Sequence, residues 1–199
     1  MEFSKSNFVI VDVETTGLEP NICGVTEIAL IKVSGKKIID KYVTLVNPLM
    51  PIPDFITNIT GISDAMVFDQ PTEEEIAKRV FDFIGDSVLV AHNVEFDLKF
   101  VNRILQLGGI EILKNKILCT VKLARIFLPN LPNKNLEKVV NEFKINSGDF
   151  HRAESDAHSA TEILFKFMDL AEKNLNIKNL DDFLNLQNLP AANNYKKII

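Results

Sequence analysis

Cysteine is scarce in these 199 residues: Cys23 and Cys119 stand alone, 96 positions apart. A secreted scaffold held by disulfides uses more of them, and no zinc spacing can be built from so distant a pair. The expectation is a reducing, cytoplasmic compartment. Glycine and proline are sparse too, at eight each, which excludes collagen-like and low-complexity chains. No apolar run approaches the ~18 residues of a membrane span. The run near the start stops at Asp12, too short for a signal-peptide core, and no small-residue cleavage pattern follows. Positive charge is also in deficit, with 22 Lys plus Arg against 27 Asp plus Glu, a net −5. That sign opposes any protein that embraces a polyanion by counterion release.

What remains is the composition of a globular domain, 46% hydrophobic and 25% charged. A chain of this length buries roughly 70% of the surface its unfolded form exposes, so neither disulfides nor a structural metal are required. Residues 7–13 (NFVIVDV) form a β-branched run suited to a central strand buried on both faces. Residues 27–33 and 38–46 read as two strands joined by the tight Ser34-Gly35-Lys36 turn, hence antiparallel. After a loop with Pro48, Pro51 and Pro53, Thr72 and Glu75 form a capping box for a helix that Gly85 stops. A buried-type strand at 87–91 precedes a helix at 95–107, and 117–119 is a weak fifth strand. Helical patterns follow at 121–127, 136–143 and 154–173. This order predicts an α/β fold in which an antiparallel meander joins parallel strands through helical crossovers, with helices on both faces. Residues 1–173 are expected to be one domain. From Asn174 the composition turns Asn-rich, and 174–199 read as a helical appendage or linker outside the core.

Three clusters carry chemistry. Asp12 and Glu14 alternate with Val13 at the end of the first strand, so both carboxylates project on one face. Seen alone, such a pair is most simply a strand reaching solvent; the functional reading is a hard divalent cation neutralising two like charges. Strand four ends in Ala91-His92-Asn93-Val94-Glu95-Phe96-Asp97. If strands one and four are parallel, their carboxyl ends share one edge and Asp97 converges on Asp12 and Glu14. Taken alone, Asp97 could equally be an acid favoured by a helix N-terminus, and His92 a hydrogen-bonded residue leaving the sheet. The third cluster is His151-Arg152-Ala153-Glu154-Ser155-Asp156. Five helical positions turn ~140° net about the axis, so His151 must sit in the loop before the helix if it and Asp156 serve one site.

D-x-E, H-N-x-x-F-D and H-R-A-x-x-D, in this order, resemble the DEDD exonuclease superfamily, in its histidine branch. That branch includes the proofreading epsilon subunit of bacterial DNA polymerase III, ribonuclease T and oligoribonuclease. The resemblance spans residues 8–170 and implies a ribonuclease H-like mixed five-stranded sheet. It further implies that Asp12, Glu14, Asp97 and Asp156 hold two divalent cations, Mg²⁺ or Mn²⁺, with His151 as general base. Four carboxylates on two dications give a site of near-zero charge that a phosphate can enter, which answers the composition puzzle. Thr15, Gly17, Leu18, Ile62, His92, Asn93 and Phe96 correspond to positions that bind or wedge the 3′-terminal nucleotides. Thr60 departs from the family's His-Gly-Ile-Thr loop.

The resemblance therefore implies a 3′–5′ exonuclease acting on single-stranded or frayed DNA ends and releasing nucleoside 5′-monophosphates. RNA is the alternative substrate, and a DNA polymerase subunit or a covalently fused downstream domain is the implied partner. Two competing readings are a non-catalytic nucleic-acid-binding module, which should lack a ligand, and an aspartyl-phosphate hydrolase of the haloacid dehalogenase type. The latter expects a second Asp where Glu14 stands.

Overall fold

A computed structural model describes residues 2–148 and 150–190. Five strands, β1 (Asn7–Thr15), β2 (Val25–Ser34), β3 (Lys37–Leu45), β4 (Val88–Ala91) and β5 (Ile117–Cys119), form one mixed sheet in the order β3-β2-β1-β4-β5. β1–β2 and β2–β3 are antiparallel, whereas β1–β4 and β4–β5 are parallel. The expected meander with parallel crossovers is therefore present. Gly35 makes the hairpin between β2 and β3 with φ +58°, and a Cβ there would sit 2.2 Å from the Ser4 carbonyl oxygen. Only glycine fits.

The period-2 alternation of β1 divides the core into two layers. Val9, Val11 and Val13 pack with α3 (Glu73–Ile84) and α4 (Val94–Leu107), around Val80, Ile84, Phe100 and Ile104. Phe8 and Ile10 face the other way, onto α5 (Thr120–Phe127), α6 (Leu136–Phe143) and α7 (Ala153–Leu175), around Phe127, Ile163 and Phe167. Asp12 and Glu14 continue the even-numbered series, toward the α7 side. The α3 capping box is formed, with Thr72 N–H donating to Glu75 Oε2 at 2.7 Å.

Two short helices, α1 (Asp54–Thr60) and α2 (Asp64–Val67), occupy what the sequence presents as a proline-rich loop. Pro53 stands at the N-cap of α1 and Gly61 closes it at φ +72°, so the proline starts the helix and does not break one. The segment after Asn174 contains α8 (Leu180–Leu186). Phe183 is fully buried, with its ring 5.0 Å from that of Phe3. Residues 180–186 thus pack into the core, contrary to the expectation of a segment outside it, because the small apolar set Phe183, Leu184 and Leu186 completes the layer under Phe3. Residues 191–199 lie outside the described residues. No helix among the described residues is long and apolar enough to cross a membrane.

Candidate active site

The carboxyl edge of the sheet collects acids from three distant stretches of chain. β1 delivers Asp12 and Glu14, the first turn of α4 delivers Asp97, and the first turn of α7 delivers Asp156. The backbone N–H groups of Asp97 and of Val13 favour the charged form of the Asp97 carboxylate. Asp97 and Asp156 are buried. One oxygen each of Glu14 and Asp156 and a ring nitrogen of His151 all lie within 4.8 Å of one another.

Such crowding carries an electrostatic cost. Burial, and then the charges of Asp97, Asp156 and Glu14, push Asp12 well above the usual carboxylate range. Glu14 rises to about 7, through burial and then Asp156, Glu27 and Asp97. Asp97 rises to about 7 by burial, partly offset by its two backbone donors. Asp156 rises to about 6 by burial, offset first by the His151 N–H. These are acids waiting for a counter-charge. Asp156 shows it most directly: its Oδ2 accepts the His151 N–H at 2.9 Å, while its buried Oδ1 has no hydrogen-bond partner among the described residues. An orphaned buried carboxylate oxygen among three further acids suits a hard divalent cation.

His151 sits in the loop before α7, as the helical-wheel argument requires, with φ +64° and its side chain exposed. A buried residue absent from the sequence reading holds it there. Glu27 of β2 pairs in register with Glu14 of β1. Its Oε1 accepts from Arg152 at 2.7 Å, and its Oε2 accepts from Arg152 Nε at 3.1 Å and from the Ala153 N–H at 2.8 Å. All of Glu27 is spent on the start of α7, so it is a fifth acid at the edge whose oxygens are already taken. The available signal was a lone acid opening the apolar run 27–33.

The residues expected to touch nucleotides divide into two sets. Leu18 is 77% exposed at the tip of the loop after β1. That loop is shaped by its neighbours: Thr15 Oγ1 donates to the Gly17 carbonyl at 2.6 Å, and Thr16 Oγ1 accepts from the Gly24 N–H at 3.0 Å. A Cβ at Gly17 would meet Cys23 Sγ at 2.7 Å. The Glu73–Arg103 pair, with its acid buried, anchors the same loop, since Arg103 also donates to the Pro20 carbonyl at 2.8 Å. Asn93 is exposed at the start of α4, and Phe96 is half-buried with its ring 5.1 Å from Phe100.

Two of the expected contacts are engaged within the protein. Ile62 has 0% exposure and fills a small cluster with Ile52 and Val67, where the α1–α2 turn folds it inward. Thr60, at the departure from the family loop, serves that turn by accepting the Ile62 N–H at 3.1 Å. His92 has both ring nitrogens engaged within the protein, Nδ1 with the Thr120 hydroxyl at 2.9 Å and Nε2 donating to the Lys134 carbonyl at 2.8 Å. Burial lowers it to about 4, so it is a neutral pin between β4, α5 and the loop before α6.

Comparison with known proteins agrees with this geometry. Residues 9–164 match the RNase_T exonuclease family. The DNA polymerase III subunit epsilon of Aquifex aeolicus is 37% identical over 162 residues, covering 81% of this chain and 80% of that protein. The PolC-type DNA polymerase III of Bacillus subtilis is 35% identical over 195 residues, 97% of this chain but 13% of that protein. The chain thus spans about an eighth of the length of its PolC-type relatives. Among solved structures, Exonuclease X in complex with 5′ overhanging duplex DNA superposes with a TM-score of 0.73 at 26% identity, over 90% of this chain and 99% of that one. Exonuclease I shares the fold, with a TM-score of 0.74 at 18% identity over 85% of this chain.

Proposed function

The chain belongs to the exonuclease family that matches residues 9–164, and from that premise we propose that it shortens DNA from the 3′ end. The substrate is a single-stranded or frayed terminus, the products are nucleoside 5′-monophosphates, and the setting is replication proofreading or repair in the cytoplasm. One observation carries the reading. Glu14 and Asp156 lie beside His151, Asp12 and Asp97 are close enough to interact with them, and the buried Asp156 Oδ1 has no partner among the described residues.

Asp12, Glu14, Asp97 and Asp156 would hold two divalent cations, Mg²⁺ or Mn²⁺. When bound, these supply charge neutralisation and Lewis-acid stabilisation of the phosphoryl group and the leaving 3′ oxygen. His151, exposed beside Glu14 and Asp156, takes the proton of the attacking water at a ring nitrogen. Its left-handed backbone directs the imidazole to the acids while its N–H bonds Asp156. Leu18 and Phe96 offer apolar surface to the terminal bases, contacts worth roughly 1 to 3 kcal/mol each where bases stack on aromatic rings and indifferent to base identity. Asn93 offers an amide beside them. Thr15 and Gly17 act by setting the Leu18 loop.

In this reading residues 1–173 carry the exonuclease site, and α8, within 174–199, completes the core beneath it. Similarity to epsilon and to PolC-type polymerases supports work beside, or covalently joined to, a polymerase. The test is release of labelled mononucleotide from matched 3′-labelled DNA and RNA strands, paired and unpaired, with Mg²⁺ or Mn²⁺. Mg²⁺-dependent release from unpaired DNA supports the proposal. Release only from RNA moves the substrate to RNA, and no release from either ends the proposal.

A further inference from the structure

The chain's net negative charge is not evenly spread. Residues 92–138 hold eight Lys and Arg against four Asp and Glu, while the remainder holds fourteen against twenty-three. Part of this excess lines a cleft of about 690 Å³ that begins at His92 and Asn93, runs along α5, and is closed by the loop before α6. Arg125 and Lys134 stand in its wall with Asn93 and Asn133. Arg125 is exposed and has no ion-pair partner among the described residues. Lys134 Nζ rests on the Leu131 carbonyl, an exchangeable contact for an ammonium.

The cleft wall is also held in place. His92 Nε2 binds the Lys134 carbonyl, and Asn135 caps α6 by accepting the Lys138 N–H at 3.1 Å. Asn93, at the N-cap position of α4, links it to the acid cluster, since the first turn of that helix carries Asp97. A preformed, cationic cleft one helical turn from the acids has a defined use: it draws a polyanion toward an edge that would otherwise repel it.

We propose that this cleft binds the phosphodiester backbone of the single strand upstream of the 3′-terminal nucleotide, with Arg125 and Lys134 each neutralising a phosphate. The inference rests on the exonuclease reading and extends it from the scissile end to the rest of the strand. It predicts that affinity for long strands and turnover of short ones separate.

The test uses the full chain with Ca²⁺, which also takes carboxylate oxygens, and fluorescence anisotropy of a labelled single-stranded DNA over a salt series. Arg125→Ala with Lys134→Ala should weaken binding roughly ten-fold and reduce the log–log salt slope by about 1.4, which is ~0.7 per phosphate on a single strand. Lys114→Ala with Lys116→Ala removes the same charge just before β5, at the opposite edge of the sheet, and should change neither. Mg²⁺-dependent hydrolysis of a dinucleotide, which has no upstream strand, should match the parent in both variants. An unchanged affinity and slope for the Arg125/Lys134 variant overturns the inference, and is the result expected if the cleft serves an acidic protein. Equal loss on dinucleotide and long strand also overturns it. If the parent binds through Arg125 and Lys134 yet releases no nucleotide, the cleft stands and the exonuclease reading falls.

Discussion

Glu27 and Arg152, 125 positions apart, meet in a bidentate pair with contacts of 2.7 and 3.1 Å. The acid is buried and the guanidinium is half open to solvent. The pair fixes the residue immediately after His151, and Glu27 Oε2 also takes the first N–H of α7. Arg152→Ala leaves that carboxylate buried with a single backbone donor, at an expected cost of about 2 kcal/mol in urea unfolding. Removing Glu27 as well should recover part of the loss, since the coupling of a contacting pair is about 1 kcal/mol or more. Strict additivity in that double-mutant cycle would show that the pair does not hold the loop. Turnover should fall in Arg152→Ala even where the protein remains folded.

Asp12 tests the trade between stability and chemistry. Its carboxylate is raised by burial and by four neighbouring acids, so Asp12→Asn relieves repulsion in the metal-free protein. The expected variant melts at or above the parent temperature without cations and gains less from Mg²⁺ or Mn²⁺. Its hydrolysis drops roughly a thousand-fold or more. A variant that unfolds more readily and retains turnover would make Asp12 a structural acid.

The same charges set a pH dependence. Glu14 and Asp97 titrate at about 7 and Asp156 at about 6, all above their unfolded values, with Asp12 raised as well. The native state therefore binds more protons than the unfolded state between about pH 4 and 7, and metal-free stability falls as pH rises through that window. His92, lowered to about 4, works in the opposite sense up to its unfolded value near ~6.5, but as one group against four. Melting curves in chelator should decline from pH 5 to 8, and added Mg²⁺ should flatten that decline by neutralising the acids. A metal-free protein that gains stability over this range would contradict the electrostatic picture.

His151 lies close enough to Glu14 and Asp156 to serve as a ligand as well as a base, and the two roles are separable. Asn tolerates the left-handed backbone found there, φ +64°, so His151→Asn preserves the loop. As a base, its loss lowers kcat by roughly 10² to 10⁴-fold while the cation concentration for half-maximal activity stays near the parent value. A large shift in that concentration would reassign His151 to the metal.

How much of this was visible in the sequence follows from the range of the forces involved. The five strands were legible from apolar runs and turn residues, and the period of β1 places Asp12 and Glu14 together; Asp97 joined them through the parallel-strand argument and Asp156 through the family resemblance. The loop position of His151 followed from helical geometry once His151 and Asp156 were taken to serve one site. Glu27 was not legible, because its partner Arg152 is remote and nothing local distinguishes a buried acid from an exposed one. His92 read equally as a hydrogen-bonded residue or a substrate contact, because its partners, Thr120 and the Lys134 carbonyl, are supplied by other elements. α8 was missed as core because an Asn-rich, seven-residue helix has little intrinsic signal, and its burial comes from Phe183 meeting Phe3.

Leu18 and Ile62 are both single aliphatic residues at positions the family assigns to the nucleotide, yet one is 77% exposed and the other 0%. Exposure assigns them opposite phenotypes. Ile62→Ala removes buried methyl groups from a small cluster with Ile52 and Val67 and should cost about 2 to 4 kcal/mol of stability. Its KM should match the parent at temperatures where it is folded. Leu18→Ala removes surface that only a bound base would cover, so stability stays within about 0.5 kcal/mol of the parent while KM for an unpaired 3′ end rises several-fold. Paired unfolding and kinetic measurements on the two variants read both quantities, and a KM defect in Ile62→Ala without loss of stability would return that residue to the substrate.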